Sequence, residues 1–127
     1  LRARTRSDLP VFTLGFCFGG AHAWRQSGSE LDILGSIGFY GNPDRFGDQA
    51  GHARTPVLML VAGADANIPV DAVVAMASTM REAGADVTDV VYDGAPHSFF
   101  DRRFADWTEA CADAWEQILG FTGRLIG

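Results

Sequence analysis

The sequence predicts an α/β domain with a mostly parallel sheet and flanking helices, and three observations carry that expectation. Four short apolar runs rich in β-branched residues are spread along the chain, each bounded by Gly, Pro or Asp. Segments with apolar residues at helical spacing alternate with them. The runs are apolar nearly throughout rather than at every second position, as in strands covered on both faces. Such alternation implies crossover connections and parallel pairing.

Taken in order, the first strand is expected over Val11–Gly15, and a short helix carrying Ala21 to Trp24 follows Gly20. Ile33–Phe39 reads as the second strand. The stretch from Gly41 to Arg54 is polar and glycine-rich, the composition of an irregular surface segment. Val57–Ala62 is the third strand. Pro69 then suits the first turn of a helix in which Val70, Val73, Val74, Ala77 and Met80 share a face, and Gly84 stops it. Val87–Tyr92 is the fourth strand. Phe104, Trp107, Cys111, Trp115 and Ile118 form the apolar stripe of a final helix. No internal repeat, low-complexity tract or linker divides the chain.

Bulk properties narrow the function classes. The chain has 127 residues, 47% hydrophobic and 20% charged, enough to bury a core within one domain or part of one. Its formal net charge of −6 argues against a general nucleic-acid or anionic-membrane binder. Two cysteines are too few for a disulfide framework and lack metal-ligand spacing. No apolar run approaches the roughly 18 residues of a membrane span. The default expectation is a cytoplasmic setting with reduced thiols. The chain has no initial methionine and enters a strand almost at once, so residues 1–127 are expected to be part of a longer domain.

The stretch "VFTLGFCFGGAHAW" sets Cys17 among glycines between a strand and a helix. That is the context of a nucleophile elbow, a sharp turn that thrusts one side chain out above the sheet. Gly15 and Gly19 are expected to remove Cβ atoms that would collide around the turn. The helix N-terminus beneath Cys17 favours negative charge and helps to hold a thiolate. The Phe18 N–H would be one oxyanion donor. The bland alternative is a buried cysteine beside glycines used for close packing. An elbow nucleophile needs an acid and then a histidine later in the chain. Asp65 follows the third strand and His97 follows the fourth, both at the strand ends where open α/β sheets build sites.

Together "GFCFGG", "PVLMLVAGADANIPVD" and "YDGAPHSFFDRR" resemble the dienelactone hydrolases, cysteine-dependent members of the α/β-hydrolase fold. The likeness extends over nearly the whole chain. It implies Cys17 as nucleophile, Asp65 as acid, His97 as base and Tyr40 as a pocket-lining residue. It implies hydrolysis of a small-molecule lactone or ester through a thioester, with no metal or organic cofactor. It also implies that the second oxyanion donor, and a glutamate beside the resting thiol, belong to an N-terminal half outside these residues. The first strand alone would then show an open edge that invites self-association. Four residues after His97, where the family's best-known members carry a substrate-binding arginine, stands Asp101, followed by Arg102 and Arg103.

Other readings remain open at this level. Phe16, Phe18 and Phe99 flank the proposed catalytic residues and either wall a pocket or fill the core. Arg102 and Arg103 could meet a substrate anion or simply be solvated. His22 is expected along the helix, facing away from the acid, and His52 in a solvated loop. Cys111 is expected to pack as a small hydrophobe. Glutamine amidotransferases share a Gly-x-Cys-x-Gly turn but place a carboxylate two residues after the histidine, where Phe99 stands here. A non-catalytic fragment and a redox sensor at Cys17 are further alternatives.

Overall fold

A computed structural model describes residues 8–46 and 50–127. The elements run β1 (Phe12–Phe16), α1 (Phe18–Arg25), β2 (Gly35–Phe39), β3 (Val57–Ala62), α2 (Val70–Glu82), β4 (Val87–Tyr92) and α3 (Thr108–Ile126). The four strands form one parallel sheet in the order β1-β2-β3-β4. β3 and β4 have the expected bounds. β2 begins at Gly35 rather than Ile33, because Ile33 still belongs to the incoming loop. α1 begins at Phe18, three residues before the apolar pair that signalled it.

Helices cover both faces, and β3 shows how one strand serves two cores. Leu58, Leu60 and Ala62 face one side with Ile37, Phe39 and Tyr92 from neighbouring strands, packed under Ala114, Ile118 and Phe121 of α3. Val57, Met59 and Val61 face the other side, against Trp24 and the α2 residues Val73, Met76, Ala77 and Met80. The two-residue period of a strand divides these sets. Every β3 residue is therefore buried, which is why the run reads as continuously apolar.

The final helix corrects the expected stripe. Phe104 lies in a 3-10 turn ahead of α3 and is 58% exposed, and Trp115 is 52% exposed. The turn at Phe104–Asp106 breaks the helical phase, so Phe104 does not share the later periodicity. Within α3 the seam passes through Cys111, Ala114, Ile118 and Phe121, and it uses the small Ala114 in place of its bulky neighbour. Tyr92 donates its hydroxyl hydrogen to Asp113 Oδ2 at 2.8 Å, tying β4 to this helix.

Between β2 and β3, Asn42 caps a 3-10 turn over Pro43–Arg45 by accepting from the Asp44 N–H at 2.9 Å. The loop expected to be surface irregularity nevertheless buries Phe46 in the α2-side core. Its residues 47–49 lie outside the described set. β1 pairs only with β2 among the described residues, and Leu14 on it is 46% exposed. Between the start of β1 and the loop that leads into β2, Val11, Phe12, Leu31 and Ile33 line a groove of about 500 Å³. The C-terminal ends of β1, β3 and β4 open on one edge of the sheet.

Candidate active site

Cys17 occupies a one-residue corner between β1 and α1 with φ 56° and ψ −120°. A non-glycine residue in that region is strained, and such strain persists only where its surroundings hold it. Here the Cys17 N–H donates to Phe39 O at 3.1 Å, and its carbonyl accepts from the Gly20 N–H at 2.9 Å. The corner closes because a Cβ on Gly15 would stand 2.0 Å from Gly19 O, and one on Gly20 would stand 2.4 Å from Phe39 O. Gly19, expected to have this role, has no heavy atom within 4 Å of the Cβ it lacks. The steric demand falls on Gly15 and Gly20, because the side of Gly19 that would carry a Cβ is open.

Asp65 sits in the turn after β3. Its Oδ1 accepts from the N–H groups of Asn67 and Ile68, at 2.9 and 3.1 Å. These bonds fix the carboxylate and leave Oδ2 facing His97 Nδ1 at 2.5 Å. His97, in the turn after β4, presents Nε2 to Cys17 Sγ at 3.0 Å. The Asp65 side chain is only 2% exposed and that of His97 28%, so the acid is screened while the imidazole stays reachable. Three side chains distant in sequence thus meet in one line above the sheet.

The electrostatics refine one expectation. The thiol of Cys17 lies above its ordinary range, first because burial disfavours the thiolate and also because Asp101 and Asp65 are negative. The Ser98 hydroxyl and the Arg102 charge act in the opposite direction but do not prevail. The proton must be removed by a neighbouring base, and His97 Nε2 is at hydrogen-bond distance to receive it.

The remaining candidates sort by position. Phe18 is the first residue of α1, where the helix leaves its N–H without an acceptor. Its ring is 60% exposed, lies 4.2 Å from that of His22 and sits beneath the Arg45 guanidinium. Phe16 is half-buried and stacks on Phe39 and Phe100, at 4.9 and 5.9 Å, in a cluster whose other two rings lie 4.4 Å apart. Phe99 is fully buried against Phe39, Tyr40 and Tyr92. It supports the site from within the core instead of lining a pocket. Tyr40 is buried beside the His97 ring, 4.9 Å away. Arg102 is exposed, with its charge felt at Cys17. His22 packs on Phe18 and His52 is exposed. Cys111 donates to Phe99 O at 3.2 Å, and both cysteines are free thiols.

Two residues near the thiol escaped the sequence reading. Ser98 adopts a positive φ of 66° immediately after His97, and Phe100 closes the aromatic stack over Phe16. A serine directly following the histidine of a tight turn was the available signal. Among the described residues, no group of three or more His, Cys, Asp or Glu could hold a metal ion. No helix among them is long and apolar enough to cross a membrane.

Comparison with known proteins bears on family and fold. The model of the "Dienelactone hydrolase family" matches residues 2–125. A protein from Saccharolobus solfataricus named "Putative carboxymethylenebutenolidase" is 33% identical over 117 residues, covering 91% of this chain and 44% of its own length. The chain thus spans less than half of that relative. Among solved structures, a "Putative Dienelactone Hydrolase" from Klebsiella pneumoniae superposes with TM-score 0.71 at 30% identity, covering 84% of this chain and 49% of that one. A dienelactone hydrolase-like promiscuous phosphotriesterase from metagenomic libraries shares the fold, with TM-score 0.73 at 22% identity, covering 88% of this chain and 51% of that one.

Proposed function

Because the chain belongs to the dienelactone hydrolase family, we propose that it carries the catalytic triad of a hydrolase that cleaves a lactone or carboxylic ester through a cysteine thioester. The observation that carries this reading is the continuous relay from Asp65 Oδ2 to His97 Nδ1 and from His97 Nε2 to Cys17 Sγ, at 2.5 and 3.0 Å. Such an arrangement activates a weak nucleophile by an adjacent base, itself oriented by a third group.

In the proposed reaction, His97 takes the thiol proton as Sγ attacks the substrate carbonyl. The carbonyl π electrons move onto oxygen, and the Phe18 N–H donates to that oxyanion. Collapse breaks the carbon–oxygen bond to the alcohol, and the imidazolium returns its proton to the leaving alkoxide. A water then gives its proton to His97 as it attacks the thioester. The second tetrahedral species collapses to the carboxylic acid as its carbon–sulfur bond breaks, and the imidazolium returns its proton to the departing sulfur, restoring the thiol. Asp65 holds the imidazole tautomer and stabilises the imidazolium in both halves.

Residues 1–127 are read as the C-terminal part of one such domain, with the second oxyanion donor supplied from outside them. The share of the relatives' length that the chain spans supports this. A reducing compartment such as the cytoplasm suits a nucleophilic thiol. The test is acid-quenched mass spectrometry after mixing with an activated neutral ester. An acyl adduct on Cys17, absent from C17A, is expected. Turnover that survives C17A, or an adduct on another residue, would refute the mechanism.

A further inference from the structure

Tyr40 donates its hydroxyl hydrogen to Asp101 Oδ1 at 2.8 Å. It is only 2% exposed and holds a φ of 37°, with its N–H bonded to Leu60 O at 2.9 Å. A left-handed tyrosine is costly and stays only where the fold over-determines it. Its ring lies 4.9 Å from that of His97, whose Nε2 reaches Cys17 Sγ at 3.0 Å. A rigid set of contacts therefore connects the thiol, through imidazole and phenol, to a carboxylate on the exposed turn.

An exposed aspartate ordinarily samples several rotamers in water. The buried phenol anchors this one. Burial acts to raise the Asp101 carboxyl, but the Tyr40 hydroxyl, the N–H groups of Arg102 and Asp101, and the Arg102 charge outweigh it. The carboxyl ends below its usual range and is ionised at neutral pH. Its charge opposes negative charge at Cys17, and the opposing influence of Arg102 is smaller. Arg102 is also exposed, on a long side chain screened by solvent.

We propose that Asp101, anchored by Tyr40, determines specificity at this site: the fixed carboxylate beside the nucleophile admits neutral or ammonium-bearing acyl groups and disfavours carboxylate-bearing ones. A substrate carboxylate near Asp101 would set two like charges together in a partly desolvated site, whereas a neutral acyl group meets no such repulsion. The proposal rests on Cys17 as the nucleophile.

The test reads the field at Cys17 without requiring turnover. Alkylation rates with iodoacetate and iodoacetamide are measured on the chain, mapped to the Cys17 peptide and divided by the rates of a small neutral thiol. Both reagents consume the same thiolate, so changes in its pKa cancel in their ratio. The iodoacetate to iodoacetamide ratio should lie below that of the free thiol. It should rise about three- to tenfold in D101N, rise partway in Y40F, fall in R102Q and stay unchanged in D106N. A ratio that remains within about twofold of the unmodified protein in both D101N and Y40F would overturn the proposal. So would an initial ratio above that of the free thiol. In parallel, p-nitrophenyl butyrate and mono-p-nitrophenyl succinate are compared with and without C17A. Hydrolysis independent of Cys17 would sink the functional reading, while the labelling ratio still judges Asp101.

Discussion

Replacing Gly15 with alanine tests the elbow at its tightest point. The new Cβ would stand 2.0 Å from Gly19 O, 2.4 Å from Gly19 C and 3.0 Å from Gly20 N. All three are backbone atoms, so no side chain can turn aside. Relief requires the β1–α1 corner to open by about 1 Å, and overpacking of this kind costs about 1–3 kcal/mol. The displacement also endangers the Cys17 N–H bond to Phe39 O, which contributes about 1 kcal/mol more. The sum of about 2–4 kcal/mol is a large share of the ~5–15 kcal/mol that stabilises a typical domain. Gly19→Ala supplies the contrast, because nothing lies within 4 Å of its missing Cβ and it sits in α1. There alanine should stabilise the helix by about 0.5 kcal/mol. Urea unfolding of both variants reads the difference as a shift in midpoint at unchanged slope. Alkylation of Cys17 reads whether the thiol keeps its place beside His97. If G15A unfolds at the midpoint of the unmodified protein, or G19A is equally damaging, close backbone approach does not shape this corner.

Limited iodoacetamide labelling should modify Cys17 before Cys111, since only Cys17 has a base at its sulfur; the mapped peptides decide it, and faster Cys111 labelling would reverse the assignment. H97A should lower ester turnover about 10³–10⁴-fold, with D65N less harmful because Asp65 acts through the imidazole. If H97A were harmless while H22A abolished turnover, the base would be His22. Alkaline pH should destabilise the fold. Tyr40 and Tyr92 are raised above the ordinary tyrosine value of 10.0, chiefly by burial and further by Asp101 and Asp113. The unfolded chain then releases these protons first, so their stability is whole below about pH 10 and is lost as pH rises toward the folded values. The expected slope is about 1.4 kcal/mol per pH unit for each phenol. Thermal melts from pH 8 to 11 should show a shallower decline for Y92F, and an unchanged decline would contradict the linkage.

Much of the fold was legible because local patterns and the final packing agree. β3 is buried throughout and β4 pairs with it in parallel register, with Val87 and Tyr92 buried at its two ends, so their apolar runs carry their own bounds. The elbow was legible for a similar reason, since a cysteine between glycines at a strand end has few other uses. The order of Cys17, Asp65 and His97, each at a strand end, could be read without coordinates. Phe104 and Trp115 misled because helical spacing marks a face without showing how wide it is or where the helix begins.

Tertiary structure alone decided which glycine admits the corner, because that depends on Gly19 O and Phe39 O arriving from other segments. It decided that Phe99 is core, that Ser98 reaches the thiol, and that burial pushes the thiol above its ordinary range. It also decided that a buried tyrosine on β2's end would fix a carboxylate from the β4–α3 connection. Spacing along a chain states what each segment prefers by itself. Distances of 2–5 Å between segments, and the burial that sets their charges, exist only once the segments have packed.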